Sequence, residues 1–417
     1  MEKIKILSLT DNPLSPSGVG SQAFYLFKGL LETGRYSIRS MAGAVKHQNY
    51  TPVVVDKDKY GNDFVVFPVE GHGNPDILRN IMDTEKPDAI FLFTDPRFFE
   101  WVWQMEDEIR PRIPILYNHL WDNFPIPMFN KPYYNSCDFI GCINQQTVEF
   151  VGGTGSTTPY KYIPHALPHG LYSPMVTWDR AKIREKVLGP NKDRCVFLFV
   201  GRNARRKRVS DIMIAFSKLE KKYPNDLMLF LHTNPFDVEG PNLINVAKLL
   251  KLPVGSIVFH PEPVPVTQMS SIYNAADLYV NASSAEGFGL PSLESMLCGT
   301  RVLLAKTGGM KDQIINPSLG DYFEIDVQSM VGSQNVPYIY DDYCSIDNMV
   351  NVMERNYLDW KRDKGESQRL GVAGMIPELL NKFSFDNLIN DWDNAFQETI
   401  ARHKAGRITK KISLEVF

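Results

Sequence analysis

Two successive series of short apolar runs, each alternating with segments of helical period, constrain this chain more than any other feature. KIKILSL, AIFLF, PILYN, FIGCI and YKYIP form the first series; CVFLFVG, LMLFLHT, SIVFH, LYVNAS and RVLLAK form the second, which begins afresh at Cys195. Runs of this length, apolar throughout rather than at alternate positions, suit strands buried on both faces. The segments between them, such as VSDIMIAFSKLEKKY, repeat apolar residues at three and four and suit covering helices. Together they predict an α/β chain of parallel sheets. Between the series, IPHALPHGLYSP (163–174) breaks all periodicity with three prolines and a glycine and reads as a linker. At 417 residues, where one core serves ~100–200, two doubly wound domains are expected. Their predicted extents are 1–170, completed by a C-terminal helix within 385–417, and 171–384. Ligands of such sheets sit beyond the carboxyl ends of the strands, here in a cleft between the domains.

Charge and composition remove several classes. A net charge of −3, with 43% hydrophobic and 22% charged residues, gives a globular chain without the basic footprint of a nucleic-acid binder. MEKIKILSLTDNP reads as a charged approach to a first strand rather than a signal peptide, and no apolar run reaches the ~18 residues of a membrane span. A soluble, cytoplasmic protein is expected. Cys137, Cys142, Cys195, Cys298 and Cys344 have no ligand spacing and read as reduced packing residues, so no metal site is expected. The chain ends in an amphipathic helix and a basic tail with Lys404, Arg407, Lys410 and Lys411. A solvated helix end is the first reading of that tail, peripheral contact with an anionic membrane the second.

Chemistry concentrates in EGFGLPSLESMLCGTRV (286–302). Pro291 suits the first turn of a helix, which places Glu286 in a loop and Glu294 inside the helix. Gly287 and Gly289 let the backbone approach a ligand, and the helix start behind them offers free N–H donors to an anion. A carboxylate one turn into that helix can accept two hydrogen bonds from a vicinal diol such as ribose, while the loop carboxylate holds the hydroxyls of a second ring. Phosphate beside two hydroxylated rings describes a nucleotide sugar. The strand CVFLFVG leads into Arg202, and Lys207 follows before a helix; both can reach one pyrophosphate, in a turn crowded by Arg205, Arg206 and Arg208. In the first half, Gly18-x-Gly20-x-x-Ala23 has dinucleotide spacing, but seven residues separate Thr10 from its first glycine, and it reads better as a loop opening the first long helix. His119 lies just past a strand, in PILYNHLWDNFPIP, with Trp121, Asp122 and FPIPMFNKPYY beside it as an acceptor wall or a core cover.

These residues resemble the retaining glycosyltransferases of family 4, of the GT-B fold, in which two Rossmann-like domains face across a cleft. The likeness is densest from VGRNARRKRVSDIMIAF to NASSAEGFGLPSLESMLCGTRVLLAKTGG and thin in the first half. It implies a retaining hexosyltransferase that moves a sugar from a UDP- or GDP-sugar type of donor to a hydroxyl acceptor in glycan biosynthesis, with no cofactor and no metal. Arg202 and Lys207 would hold the pyrophosphate, Glu294 the ribose and Glu286 the donor sugar. Gly287, Phe288, Gly289 and Leu290 would line sugar and phosphates by their backbone. His119 would lie near the donor sugar, Gly18 and Gly20 would close the phosphate side, and Gly308 and Gly309 match a further loop. Three departures stand out. Arg208 replaces the usual glycine after the lysine and is expected to reinforce the phosphate contact; Leu120 replaces the usual aspartate after the histidine; and 321–343 has no family pattern. The alternatives are a nucleotide-sugar-binding protein without transfer activity, a GT-B phosphorylase or epimerase, and, weakest, an NAD-dependent dehydrogenase.

Overall fold

The computed structural model describes residues 3–334 and 336–406. Their contacts separate two compact units, one ending at Pro168 and resuming at Phe383, the other spanning His169–Lys382. The division falls inside the proline-rich stretch.

Eight strands build the sheet of the first unit: β1 (Ile4–Asp11), β2 (Tyr36–Gly43), β3 (Val53–Val54), β4 (Phe64–Pro68), β5 (Ala89–Phe93), β6 (Ile115–His119), β7 (Phe139–Cys142) and β8 (Tyr160–Tyr162). They lie in the order β3-β4-β2-β1-β5-β6-β7-β8, parallel except for the β3–β4 edge pair. The second unit has six strands: β9 (Cys195–Val200), β10 (Leu227–His232), β11 (Ile257–Phe259), β12 (Leu278–Asn281), β13 (Arg301–Ala305) and β14 (Gly320–Phe323), in the order β11-β10-β9-β12-β13-β14, all parallel. Both sheets therefore start in the middle, wind to one edge, return and wind to the other. The reversal separates the connections at one point in each sheet, between β1 and β5 in the first and between β9 and β12 in the second, and opens a crevice at the carboxyl ends there.

Every apolar run of the sequence analysis is a strand. Beyond those runs the fold adds β2, β3, β4, β14 and the antiparallel hairpin β15 (Ile325–Ser333) and β16 (Val336–Cys344), which stands apart from both sheets. The hairpin occupies the stretch without family pattern. Its strands carry polar and apolar residues on a surface that stays largely outside the core, so the long apolar runs that betray buried parallel strands are missing.

The helix Phe385–Lys404 belongs to the first unit. Leu388, Ile389, Trp392, Ala395, Phe396 and Ile400 recur at helical spacing and enter the core under β5 and β7. Trp392 is fully buried, edge-on to Phe91 at 4.9 Å, and Asp393 accepts from Tyr36 Oη at 2.5 Å. Two glycines admit this helix. A Cβ at Gly29 would stand 2.2 Å from Ile389, and one at Gly141 would stand 2.4 Å from Trp392. Lys404 closes the helix against Asp88 at 3.2 Å, while Arg407, Lys410 and Lys411 lie outside the described residues. Among the described residues, no helix is long and apolar enough to cross a membrane.

Gly141→Ala should destabilise the first unit by about 1–3 kcal/mol, the cost of overpacking a rigid indole. A urea titration followed by tryptophan fluorescence would show it; an unchanged midpoint would mean that the helix carrying Trp392 slides without penalty.

Candidate active site

In the second unit, the carboxyl ends of β9 and β12 carry the basic turn and the acidic loop. After β9, the chain passes Gly201 and Arg202 and forms a short turn, Arg205–Lys207, before the helix Val209–Lys222. After β12, residues 282–289 run as a mostly buried loop into the helix Leu290–Leu297. Asn281 Oδ1 accepts from the Ser283 N–H at 2.9 Å and from Ser283 Oγ at 2.6 Å, which turns the chain at the strand end. The Ser284 N–H then donates to the Arg206 carbonyl at 2.8 Å, and Arg206 Nη1 donates to the Ala285 carbonyl at 2.7 Å. The two loops are thus stitched together by one backbone bond and one from the Arg206 side chain.

At their meeting point Lys207 Nζ donates to Glu286 Oε2 in a short ion pair. Ser283 Oγ adds a bond at 3.4 Å and Arg206 Nη1 stands 3.8 Å away. Glu286 is buried, which alone would raise its pKa; the Lys207 and Arg206 charges outweigh burial and hold the carboxyl below its ordinary value. The result is an ionised acid whose charge is balanced from one side. Its backbone is fixed as well: the Gly309 N–H donates to the Glu286 carbonyl at 2.9 Å, and a Cβ on Gly308, at φ +50°, would lie 1.9 Å from that oxygen. Gly308 therefore has to be glycine.

Gly289, at φ +87°, caps the helix, and Pro291 sits in its first turn as the sequence predicts. Gln313 Nε2 donates to the Phe288 and Gly289 carbonyls at 2.6 and 3.1 Å, and Ser292 Oγ to the Gly289 carbonyl at 2.6 Å, so the loop enters the helix at a fixed angle. One turn on, Glu294 accepts from Tyr273 Oη. Burial raises the Glu294 pKa, against the lowering effect of Tyr273 and Tyr172, so the two glutamates are shifted in opposite directions by their surroundings.

The two cations expected to act together are differently engaged. Lys207 joins Glu286, whereas Arg202 is exposed and forks onto Asp237 at 2.7 and 3.1 Å, with Glu239 at 3.2 Å. Arg206, a bystander in the sequence analysis, takes the second place beside Glu286; the run RNARRKR signalled a cation there without saying which. Arg208, expected to reinforce the phosphate contact, is engaged with protein groups in this structure. It holds φ +54°, a backbone state that costs a bulky residue of order 1–3 kcal/mol, and its guanidinium pairs with Asp211 at 2.6 Å and lies over the Tyr343 ring at 4.6 Å.

In the first unit, Gly18 opens the helix Gly18–Glu32, capped by Ser17 Oγ accepting from the Gly20 N–H at 2.9 Å. A Cβ at Gly20 would stand 2.5 Å from the Asn12 carbonyl, so this glycine serves the packing of the loop after β1. His119 ends β6 but is fully buried: Nε2 faces Tyr134 Oη at 2.6 Å, and Nδ1 is enclosed without a hydrogen-bond partner. Trp121 is buried edge-on to Phe129, and Tyr133 stacks on Trp103 at 4.5 Å, so much of that aromatic segment covers the core. A cavity of about 630 Å³ lies instead at the β1/β5 reversal, lined by Asp11, His72, Thr94, Arg97, Phe98 and Trp101 among others. His72 stacks on Phe98 at 4.3 Å and stands 3.5 Å from Asp11. With Ala44, these residues come from four separate segments, which is why no local motif announced them.

Residues 179–324 match the family model described as glycosyl transferases group 1. These residues lie within the second unit, which is similar to a glycosyl transferases group 1 domain over that stretch. Its curated relatives include D-inositol 3-phosphate glycosyltransferase 2 of Catenulispora acidiphila, 30% identical over 148 residues (34% of this chain and 34% of that protein). Alpha-maltose-1-phosphate synthase of Mycobacterium tuberculosis is 27% identical over 150 residues, 35% of this chain and 38% of that protein. The matches thus span little more than a third of these relatives' length. Solved structures extend the likeness to the whole fold: sucrose-phosphate synthase of Thermosynechococcus elongatus superposes with a TM-score of 0.73 at 16% identity, covering 96% of this chain and all (100%) of that one. Anabaena HepE, solved in complex with UDP and glucose, gives 0.69 at 14% identity, covering 95% of this chain and 100% of its own. The fold is GT-B, with two Rossmann-like domains, and the residues that match the group 1 model lie in the second of them. In that domain the identified segment includes Arg202, Lys207, Glu286 and Glu294.

Burial pushes the His119 and His165 imidazoles down to about 3, against an ordinary 6.5. Between those values the unfolded chain binds protons that the folded one refuses. Stability should therefore be complete above pH ~6.5 and fall toward acid, by at most ~1.4 kcal/mol per pH unit for each histidine. Urea midpoints between pH 7.5 and 5 should decline less steeply in His165→Gln than in the wild type; equal slopes would show that His165 titrates normally.

Proposed function

We propose that this chain is a retaining glycosyltransferase that moves a sugar from a nucleoside-diphosphate-sugar donor to an acceptor hydroxyl without a metal. The observation that carries the reading is the Lys207–Glu286 pair at the β9/β12 reversal of a group 1 domain, with Glu294 one helical turn beyond the glycine loop. UDP and glucose bound in the Anabaena relative support the class of donor.

The chemistry asked of the site is charge stabilisation. As the bond from the sugar C1 to phosphate breaks, the leaving diphosphate gains negative charge; the acceptor oxygen bonds to C1 on the same face and its proton passes to a phosphate oxygen. Lys207 and Arg206, together with the N–H groups at the start of the Leu290–Leu297 helix, supply fixed positive potential for that charge. Donor hydroxyls would take up the lone pairs of Glu286, whose ionised state Lys207 maintains. Ribose hydroxyls would replace Tyr273 or add to it on Glu294. Arg202 would exchange the carboxylates of Asp237 and Glu239 for the diphosphate. The acceptor is assigned to the first-unit cavity, where Phe98 and Trp101 offer ring faces and Asp11 and His72 offer hydrogen bonds.

A thermal-shift panel of UDP, GDP, ADP and NAD tests the reading. One nucleoside diphosphate at a hundred times its dissociation constant should stabilise the chain by ~2.7 kcal/mol, with NAD inert. No shift with any diphosphate would sink the reading. Given a donor, Glu294→Gln should weaken nucleotide binding, and Lys207→Ala should lower kcat roughly 10²–10³-fold with a smaller change in donor affinity. Wild-type rates in Lys207→Ala would remove that residue from the mechanism.

A further inference from the structure

The hairpin formed by β15 and β16 belongs to neither sheet, yet the end of β16 reaches both loops of the site. The Asp342 N–H donates to the Ser284 carbonyl at 3.0 Å, next to the chain that leads into Glu286. The Asp342 carboxylate accepts from Thr307 Oγ1 at 2.5 Å, at the start of the Gly308–Gly309 segment that holds the Glu286 carbonyl, and from Gln328 Nε2 of the facing strand at 2.8 Å. The next residue, Tyr343, lies under Arg208, the residue after Lys207, which occupies the left-handed backbone region that favours glycine. Ring and guanidinium thereby secure the turn at its strained point.

We propose that this hairpin is a positioning element of the donor site. Asp342 and Tyr343, neither of which touches the reacting atoms, clamp the glycine loops behind Glu286 and the basic turn behind Lys207, and so set the relation of the two charges. Arg208 and the hairpin act as a pair: an arginine at a position suited to glycine is held by the aromatic ring that the hairpin brings. The inference rests on the transferase reading, and it goes beyond it by giving a segment outside the matched residues 179–324 a part in the site.

The test compares Asp342→Ala and Tyr343→Leu with the conservative Asp342→Asn and Tyr343→Phe, and with Met330→Ser on the hairpin's exposed surface, opposite Tyr340. The probes are UDP, exchanged for ADP or GDP should the panel favour one of those, and the matching nucleoside. In the two disruptive variants, diphosphate affinity should drop about tenfold and kcat by about 10–100-fold, because small displacements of a charge are costly to turnover. Nucleoside affinity and the urea midpoint should change little. Asp342→Asn and Tyr343→Phe should stay near wild type, since the amide oxygen still accepts from Thr307 and the phenyl ring still faces Arg208. Should Asp342→Ala fail to fold, the Tyr343 pair decides alone. Unchanged diphosphate affinity and kcat in a folded disruptive variant would overturn the proposal, as would equal losses in Met330→Ser or in both conservative variants. A wild-type chain that binds no nucleoside diphosphate would bring down the transferase reading and this inference together; normal wild-type binding with unaffected variants removes the hairpin's role alone.

Discussion

A buried carboxylate that stays ionised has to be given both charge and hydrogen bonds, and much of the second unit can be understood from how Glu286 is supplied with them. Desolvation works against the charged form; Lys207 and Arg206 reverse that only because their turn is held against the glutamate's loop. The Ser284–Arg206 backbone bond between the loops, the Arg206 side-chain bond to the Ala285 carbonyl, the Gly309 N–H on the Glu286 carbonyl and the missing Cβ of Gly308 all serve this approach. The same constraint gives the site its electrostatic character. Positive charge exceeds what one carboxylate consumes, and a helix start lies beside it, so an anion with hydroxyl groups attached is the fitting guest.

Other ionic clusters in the molecule have a different task. Asp277 is buried between Arg180 and Arg184 and accepts from the Val196 N–H at 2.8 Å; Asp138 is similarly placed with Arg110 and the Ile115 N–H. Both precede the strands they brace and lie at the amino ends of the sheets, away from the reversal crevices. Burial and pairing alone would not separate these clusters from the site. The end of the sheet does, because only at the carboxyl ends do the diverging connections leave room.

The sequence made Glu286, Glu294 and Lys207 legible because their spacing is local: a strand, a glycine loop and a helix start within a few residues. It made the strands legible because parallel strands covered on both faces must be apolar throughout. It could not show that Arg202 turns to Asp237 and Glu239, that Arg206 stands beside Glu286, or that Gln313 ties down the Phe288–Gly289 turn, since each of these is a choice among rotamers and distant partners. His119 makes the same point. Its place at the end of β6 was readable, but its complete burial against Tyr134 depends on how the segment around residue 134 folds back.

What the sequence by itself determined is the α/β class, the two series of strands, the proline-rich break and the chemistry of the 286–302 loop, all of which follow from residue types within short windows. Tertiary structure alone decided the strand order, the first-unit cavity assembled from four segments, the hairpin's grip on two loops and the protonation bias of the two glutamates. The reason is the range of the forces. Backbone propensity and hydrophobic periodicity are fixed by near neighbours, whereas desolvation and ion pairing depend on which distant groups the completed fold brings within a few ångströms.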